Sequence, residues 1–103
     1  MKDDPIYFWV SDGCAWIRVT GDACFLNSTR VNEFGKKMVH RGIRQFAVDL
    51  EECSGLDSTF MGTLAGIALR LRELGKGTLR VLNVQPEHEK QFRDLGLDEL
   101  FFD

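Results

Sequence analysis

Asp57-Ser58-Thr59 places one carboxylate and two hydroxyls in consecutive positions. They stand directly before Phe60-Met61-Gly62-Thr63-Leu64-Ala65-Gly66, an uncharged run in which apolar and small residues alternate. An Asp, Ser or Thr oxygen at a helix start accepts a hydrogen bond from a backbone amide left open there. One such residue suffices for a cap, and three in succession leave a hydroxyl available for chemistry. A phosphate esterified here would meet open amides and the positive end of the helix dipole. It would also set nearly two negative charges beside Asp57, Glu51 and Glu52. Ser58 is the candidate phosphoacceptor, with Thr59 as its alternative; which of the three residues caps the helix stays open at this level.

The run after Thr59 has two apolar sides. At about 100° per residue, Phe60, Leu64, Ile67, Leu71 and Leu74 fall within roughly 40° of one direction, a stripe that predicts a core face. The opposite side is charged only towards its end, at Arg70, Arg72 and Glu73. Its first half carries Gly62, Ala65, Gly66 and Leu69, with Thr63 beside them and Met61 at the margin. A glycine inside a helix costs about 1 kcal/mol relative to alanine. Either these small residues let the helix pack on a neighbour within the domain, or they form a flat docking surface for another protein. Leu69, nearly opposite Phe60, favours docking.

Other side chains offer less. His40 and His88 are far apart and in charged, helical surroundings, where a lone histidine is commonly just solvated. Cys53 lies near Asp57 and Glu51, whose charge raises a thiol pKa, whereas a nucleophile needs it lowered. The three cysteines, Cys14, Cys24 and Cys53, form no CxxC pair, so neither a zinc knuckle nor a redox pair is suggested. No glycine-rich phosphate loop is present. The reading is a non-enzyme without cofactor or metal.

The elements that position Ser58 are legible from pattern. Ile6–Val10 and Ala15–Thr20 read as two strands of a hairpin, with Asp12-Gly13 at the turn. Residues 23–27 read as a loop, and Asn27 or Ser28 as the cap of a helix reaching Met38 or Val39 and ending before Gly42. Phe46-Ala47-Val48 with Leu50 suits a strand covered on both faces. A helix from about Ser58 to Leu74 stops at Gly75 and Gly77. Leu79–Val84 is a strand, Pro86 opens a third helix, and Gly96 ends it. Leu97, Leu100, Phe101 and Phe102 form an apolar tail that docks on the body or on a partner. The order β-β-α-β-α-β-α predicts an α/β fold with a mixed sheet.

The whole chain bounds the function. Its 103 residues predict one domain spanning 1–103. At 44% hydrophobic and 28% charged, a core with an ordinary surface is expected, not disorder. A net charge of -3 with scattered lysines and arginines argues against nucleic-acid binding. No apolar run is long enough for membrane insertion. The acidic start MKDDPIYF lacks an apolar signal region, so a cytoplasmic protein is expected.

Val48-Asp49-Leu50, Cys53 and then Leu56-Asp57-Ser58-Thr59-Phe60-Met61-Gly62-Thr63-Leu64 together resemble the STAS domain of the anti-sigma factor antagonists. Gly21-Asp22, Gly75-Lys76-Gly77, the strand Leu79–Val84 and Phe92-Arg93-Asp94-Leu95-Gly96-Leu97 extend the resemblance over nearly the whole chain. It implies a small bacterial domain with helices mainly on one face of the sheet. It implies a partner that is both an anti-sigma factor and a serine kinase of the histidine-kinase-like ATPase fold. The unphosphorylated form binds that partner and frees a sigma factor; phosphorylation of Ser58 blocks binding, and a phosphoserine phosphatase reverses it. Asp57 would hold the loop and orient the hydroxyl. The expected partner surface comprises Asp22, Asp57, Ser58, Thr59, Met61, Gly62, Ala65, Gly66 and Leu69. The chain departs from the family where Thr59 and Phe60 replace a serine and a glycine, and where Cys24-Phe25-Leu26 delays the first helix. The alternative function is a constitutive STAS subunit of a lipid-transport ATPase complex or a stress-signalling particle, with Ser58 a mere cap.

Overall fold

Asp12 and Gly13 both take left-handed φ values, 52° and 76°. Two such residues make the turn whose twist matches a hairpin. They join β1 (Ile6–Ser11) to β2 (Cys14–Val19) in antiparallel register, Trp9 opposite Trp16. The computed structural model describes residues 5–102; residues 1–4 of the acidic start, and Asp103, lie outside them.

Two further short segments follow the pattern less obviously. Asp22–Ala23 forms β3, and Gly55–Leu56 forms β5; they pair in parallel as a ladder of their own. The main sheet is completed by β4 (Gln45–Asp49) and β6 (Thr78–Leu82). Its order is β1-β2-β4-β6, with β2, β4 and β6 parallel, so the sheet is mixed. The crossovers carry α1 (Phe25–His40) and α2 (Ser58–Leu74). After β6 come α3 (Pro86–Asp94) and the short α4 (Asp98–Phe101). The expected order of three helices and four main strands holds; the ladder β3–β5 and α4 are additions to it.

Alternation along the strands divides the sheet. Ile6, Ala15, Ile17, Val19, Phe46, Val48, Leu79 and Val81 are buried on the helix-bearing side. Tyr7, Trp9, Trp16, Arg18 and Arg80 occupy the other face and keep solvent contact. There the indoles of Trp9 and Trp16 lie parallel, 5.6 Å apart, and the Arg18 guanidinium sits 4.9 Å from the Trp9 ring centre.

The expected core stripe of α2 is only part of what the helix buries. Phe60, Leu64, Ile67 and Leu71 are buried, but so are Met61, Ala65 and Ala68. Leu74, placed in the stripe by its angle, is 47% exposed. A single stripe describes a helix with one neighbour, whereas α2 packs on both α1 and β6. Its buried arc is therefore wider, and its last residue projects beyond it. The close approach of α1 depends on Gly35, where a Cβ would lie 2.9 Å from Ile67 Cδ1.

The apolar tail docks on the domain itself. Phe101 is buried, and its ring stands edge-on to Phe92 at 5.2 Å, with Phe102 at 5.5 Å from the same ring. Removing a buried phenylalanine leaves a cavity and costs on the order of 3 kcal/mol. Phe101→Ala should therefore shift the urea unfolding midpoint strongly downwards, while Leu95→Ala, at a half-exposed site, should leave it nearly unchanged.

Candidate functional site

The ladder β3–β5 launches the two long helices side by side. Ser54 donates its backbone N–H to the Gly21 carbonyl at 3.0 Å, and the Asp57 N–H goes to the Ala23 carbonyl at 3.2 Å. The Asp22 carboxylate accepts the Ser54 hydroxyl at 2.9 Å and lies over Gly55, where a Cβ would come within 2.8 Å of its oxygen. With the backbones so held, Asp57 stands between both helix starts. Its Oδ1 accepts the Phe60 N–H of α2 at 2.8 Å, and its Oδ2 accepts the Phe25 N–H of α1 at 2.8 Å. One side chain thus caps two helices.

That arrangement answers which of the three polar residues caps α2. Ser58 and Thr59 occupy the first two helical positions, both exposed. Neither side-chain hydroxyl has a hydrogen-bond partner among the described residues, while Thr63 Oγ1 donates to the Thr59 carbonyl at 3.1 Å. The carboxylate takes the capping role and leaves two hydroxyls at a helix N-terminus.

The start of α1 differs from the expected one. Residues 23–27 are not a loop: Ala23 ends β3, Cys24 is the N-cap and the helix begins at Phe25, so nothing is delayed. Asn27 takes part from inside the helix, its Oδ1 accepting the Cys24 N–H at 3.0 Å. The sequence hides this start because its main cap, Asp57, is 32 residues away. Phe25 and Leu26, 61% and 72% exposed in the first turn of α1, flank the site and were not expected there. No sequence signal joined them to Ser58, since they reach it only through the fold.

The STAS domain family model matches residues 9–103 of the chain. The chain belongs to the STAS domain family. No curated protein is matched. Among solved structures, a Thermotoga maritima protein, tm1081, superposes with a TM-score of 0.82 at 13% identity, covering 93% of this chain and 82% of that one. The Bacillus cell fate determinant SpoIIAA in its phosphorylated form gives 0.75 at 22% identity over 95% and 89% of the two chains. An anti-sigma factor antagonist from Mycobacterium paratuberculosis gives 0.75 at 21% over 94% and 81%. At these identities the likeness is one of fold.

In this STAS domain the expected partner surface divides. Asp22, Ser58, Thr59, Gly62, Gly66 and Leu69 are exposed, and Asp57 is half-buried between the helix starts. Met61 and Ala65 are 2% and 7% exposed and belong to the core, because the buried arc of α2 extends over them. The two glycines do not serve packing inside the domain. A Cβ added at Gly62 or Gly66 would meet nothing within 4 Å. They border an open groove of about 600 Å³, lined from α1 by Ser28, Thr29, Asn32, Glu33 and Lys36 and from α2 by Thr59, Gly62, Thr63 and Gly66.

The remaining reactive groups lie elsewhere or are muted. Burial pushes the Cys53 thiol up and the Asp22 charge pushes the same way, against a hydrogen bond with Gly55. Asp49, at the end of β4, is held below the ordinary carboxylate range. Burial pushes it up, but the Asn83 amide, the Glu51 N–H and Arg18 together outweigh burial. His40 is exposed, whereas His88 is buried in α3 and not solvated as expected. Among the described residues no helix is long and apolar enough to cross a membrane.

Two stability experiments follow from this geometry. Asp57→Ala removes a cap from two helices and should cost about 2 kcal/mol, whereas Ser58→Ala and Thr59→Ala, at unbonded exposed hydroxyls, should stay within about 0.5 kcal/mol in denaturant titrations. Gly62→Ala and Gly66→Ala should each raise stability by about 0.5–1 kcal/mol, since the added methyl enters open space and the helix gains in propensity. Thermal unfolding of the two glycine variants checks this; a lowered midpoint would mean that the small residues serve the isolated domain.

Proposed function

We propose that this STAS domain is an anti-sigma factor antagonist switched by phosphorylation at Ser58, with Thr59 as the alternative acceptor. The observation that carries the proposal is the double cap by Asp57. It frees both hydroxyls at the start of α2, next to a surface with two unoccupied glycines. The unphosphorylated domain binds an anti-sigma factor that is also a serine kinase of the histidine-kinase-like ATPase fold, and so releases a sigma factor. The kinase transfers a phosphoryl group to the hydroxyl, and a phosphoserine phosphatase removes it. The fold similarity to SpoIIAA, captured in phosphorylated form, supports the reading.

The chain's own contribution is positional and electrostatic. It supplies an acceptor hydroxyl and no catalytic group. A phosphate on Ser58 adds close to two negative charges at the helix start, where the amides and dipole favour it. The same charges stand beside Asp57, and the added bulk falls at the edge of the exposed α2 surface. Both effects weaken a partner that packs closely there.

Incubation of the purified domain with Mg-ATP and the serine kinases of this fold encoded in the same genome should add one phosphate, located at Ser58 by peptide mass. Ser58→Ala should retain kinase binding and Ser58→Asp should lose at least tenfold in affinity. Equal affinities of the two variants would sink the switch. A domain that carries no phosphate in native cells and co-purifies with a fixed partner would point instead to a constitutive subunit.

A further inference from the structure

The edge of the sheet at β1 contributes no residue to the Asp57 site. In an antiparallel pair the backbone groups of alternate residues face the partner strand. Thr20 donates its N–H to the Pro5 carbonyl at 2.8 Å, and the register runs unbroken from Ile6 opposite Val19 to Ser11 opposite Cys14. The odd-numbered residues of β1 therefore bond to β2, and the N–H and C=O of Phe8 and Val10 point out of the sheet. Neither of these two residues has a backbone partner on that side among the described residues.

An open edge of this kind invites a further strand, and proteins guard against it with lysines, prolines, bulges or a covering element. β1 has none of these. Ile6-Tyr7-Phe8-Trp9-Val10-Ser11 is uncharged, contains no proline and pairs without a bulge. Tyr7 and Val10 are 52% and 47% exposed. The opposite edge is treated differently: β6 carries Arg80 and has α4 packed beside it.

We infer that β1 is the seat of a second copy of this chain. The two β1 strands run antiparallel about a twofold axis at Trp9 and join two four-stranded sheets into one. The open groups select this register, because Phe8 of each copy then exchanges both backbone hydrogen bonds with Val10 of the other. Trp9 faces the second copy's Trp9 as a non-hydrogen-bonded pair, where cross-strand side chains come closest and aromatic pairs are favourable. Trp9 and Trp16 already lie parallel at 5.6 Å, so the indoles of both copies stand in one row on the open face. On the helical side Val10 of one copy comes opposite Phe8 of the other, whose ring borders an open hollow of about 210 Å³ shared with Phe34. A second copy fits because every facing pair is uncharged: Trp9 on Trp9, Phe8 on Val10 and Tyr7 on Ser11. The contact is isologous and uses up the edge that makes it, so it closes at two copies.

The contact is one strand wide, smaller than that of obligate dimers, so exchange between monomer and dimer is expected over the micromolar range. Sedimentation of the full-length domain should show a mass rising with concentration from 11.7 kDa to twice that value. Over the same range hydrogen exchange should slow at the Phe8 and Val10 amides, while the Trp9 amide, already bonded to β2, should not change. Val10→Lys puts a charge on the edge at a half-exposed site. It should weaken dimerisation at least tenfold and leave the thermal midpoint of the diluted domain nearly unchanged. A domain that stays monomeric up to about 1 mM overturns the inference. So does a dimer that leaves the Phe8 and Val10 amides unprotected or survives Val10→Lys, since the copies would then meet through another face. Protection of these amides only when a different protein is added would make the occupant a foreign strand and overturn the second copy. None of these results depends on the proposed phosphorylation of Ser58.

Discussion

The shared carboxylate of Asp57 is the constraint from which the site takes its form. Each helix N-terminus carries open amides and about half a positive charge, so two starts placed side by side repel. A single anion between them, accepting one amide from each, offsets that repulsion with charge-assisted hydrogen bonds. The two-residue ladder β3–β5 sets the separation at which one side chain spans both starts. Ser58 and Thr59 owe their freedom to this economy: a more ordinary helix start would have consumed one of them.

The same helix has two unlike sides. Residues turned towards α1 and β6 are large and buried, and the close crossing is made by Gly35 against Ile67, from the α1 side. The glycines of α2 itself lie away from that crossing. Helix propensity is therefore given up where an added Cβ would meet nothing of the domain. Buried and exposed arcs are thus separated around one helix axis, so changes on the exposed arc leave the core intact, and under the proposed function they would act on binding.

The element order, the mixed sheet and most of the core stripe of α2 were legible because each rests on local periodicity and turn chemistry. Asp12-Gly13, Pro86 and Gly75 mark their elements in the sequence itself. The start of α1 was not legible, because its cap is donated by Asp57 across the fold and Cys24-Phe25-Leu26 carries no capping signal. Met61 and Ala65 were misplaced for a related reason: a helical wheel assumes one covered side, and the number of neighbours is a property of the tertiary arrangement. The Asp-Ser-Thr run was recognised as chemically special, yet only the coordinates of Asp57 Oδ1 and Oδ2 show which group caps and which are left over. His88 gives no sign in its neighbours, two glutamates and a lysine nearby, of being buried.

Both tryptophans of the chain, Trp9 and Trp16, stand on the sheet face remote from the helices, stacked on each other with Arg18 against one ring. Coupled indoles of this kind are sensed in the far-ultraviolet circular dichroism, where their strong bands interact. The indole emission reports on the back of the sheet, and events confined to the helical side reach it only if the strands shift. The domain thus has an internal optical gauge that separates surface association from deformation of its scaffold.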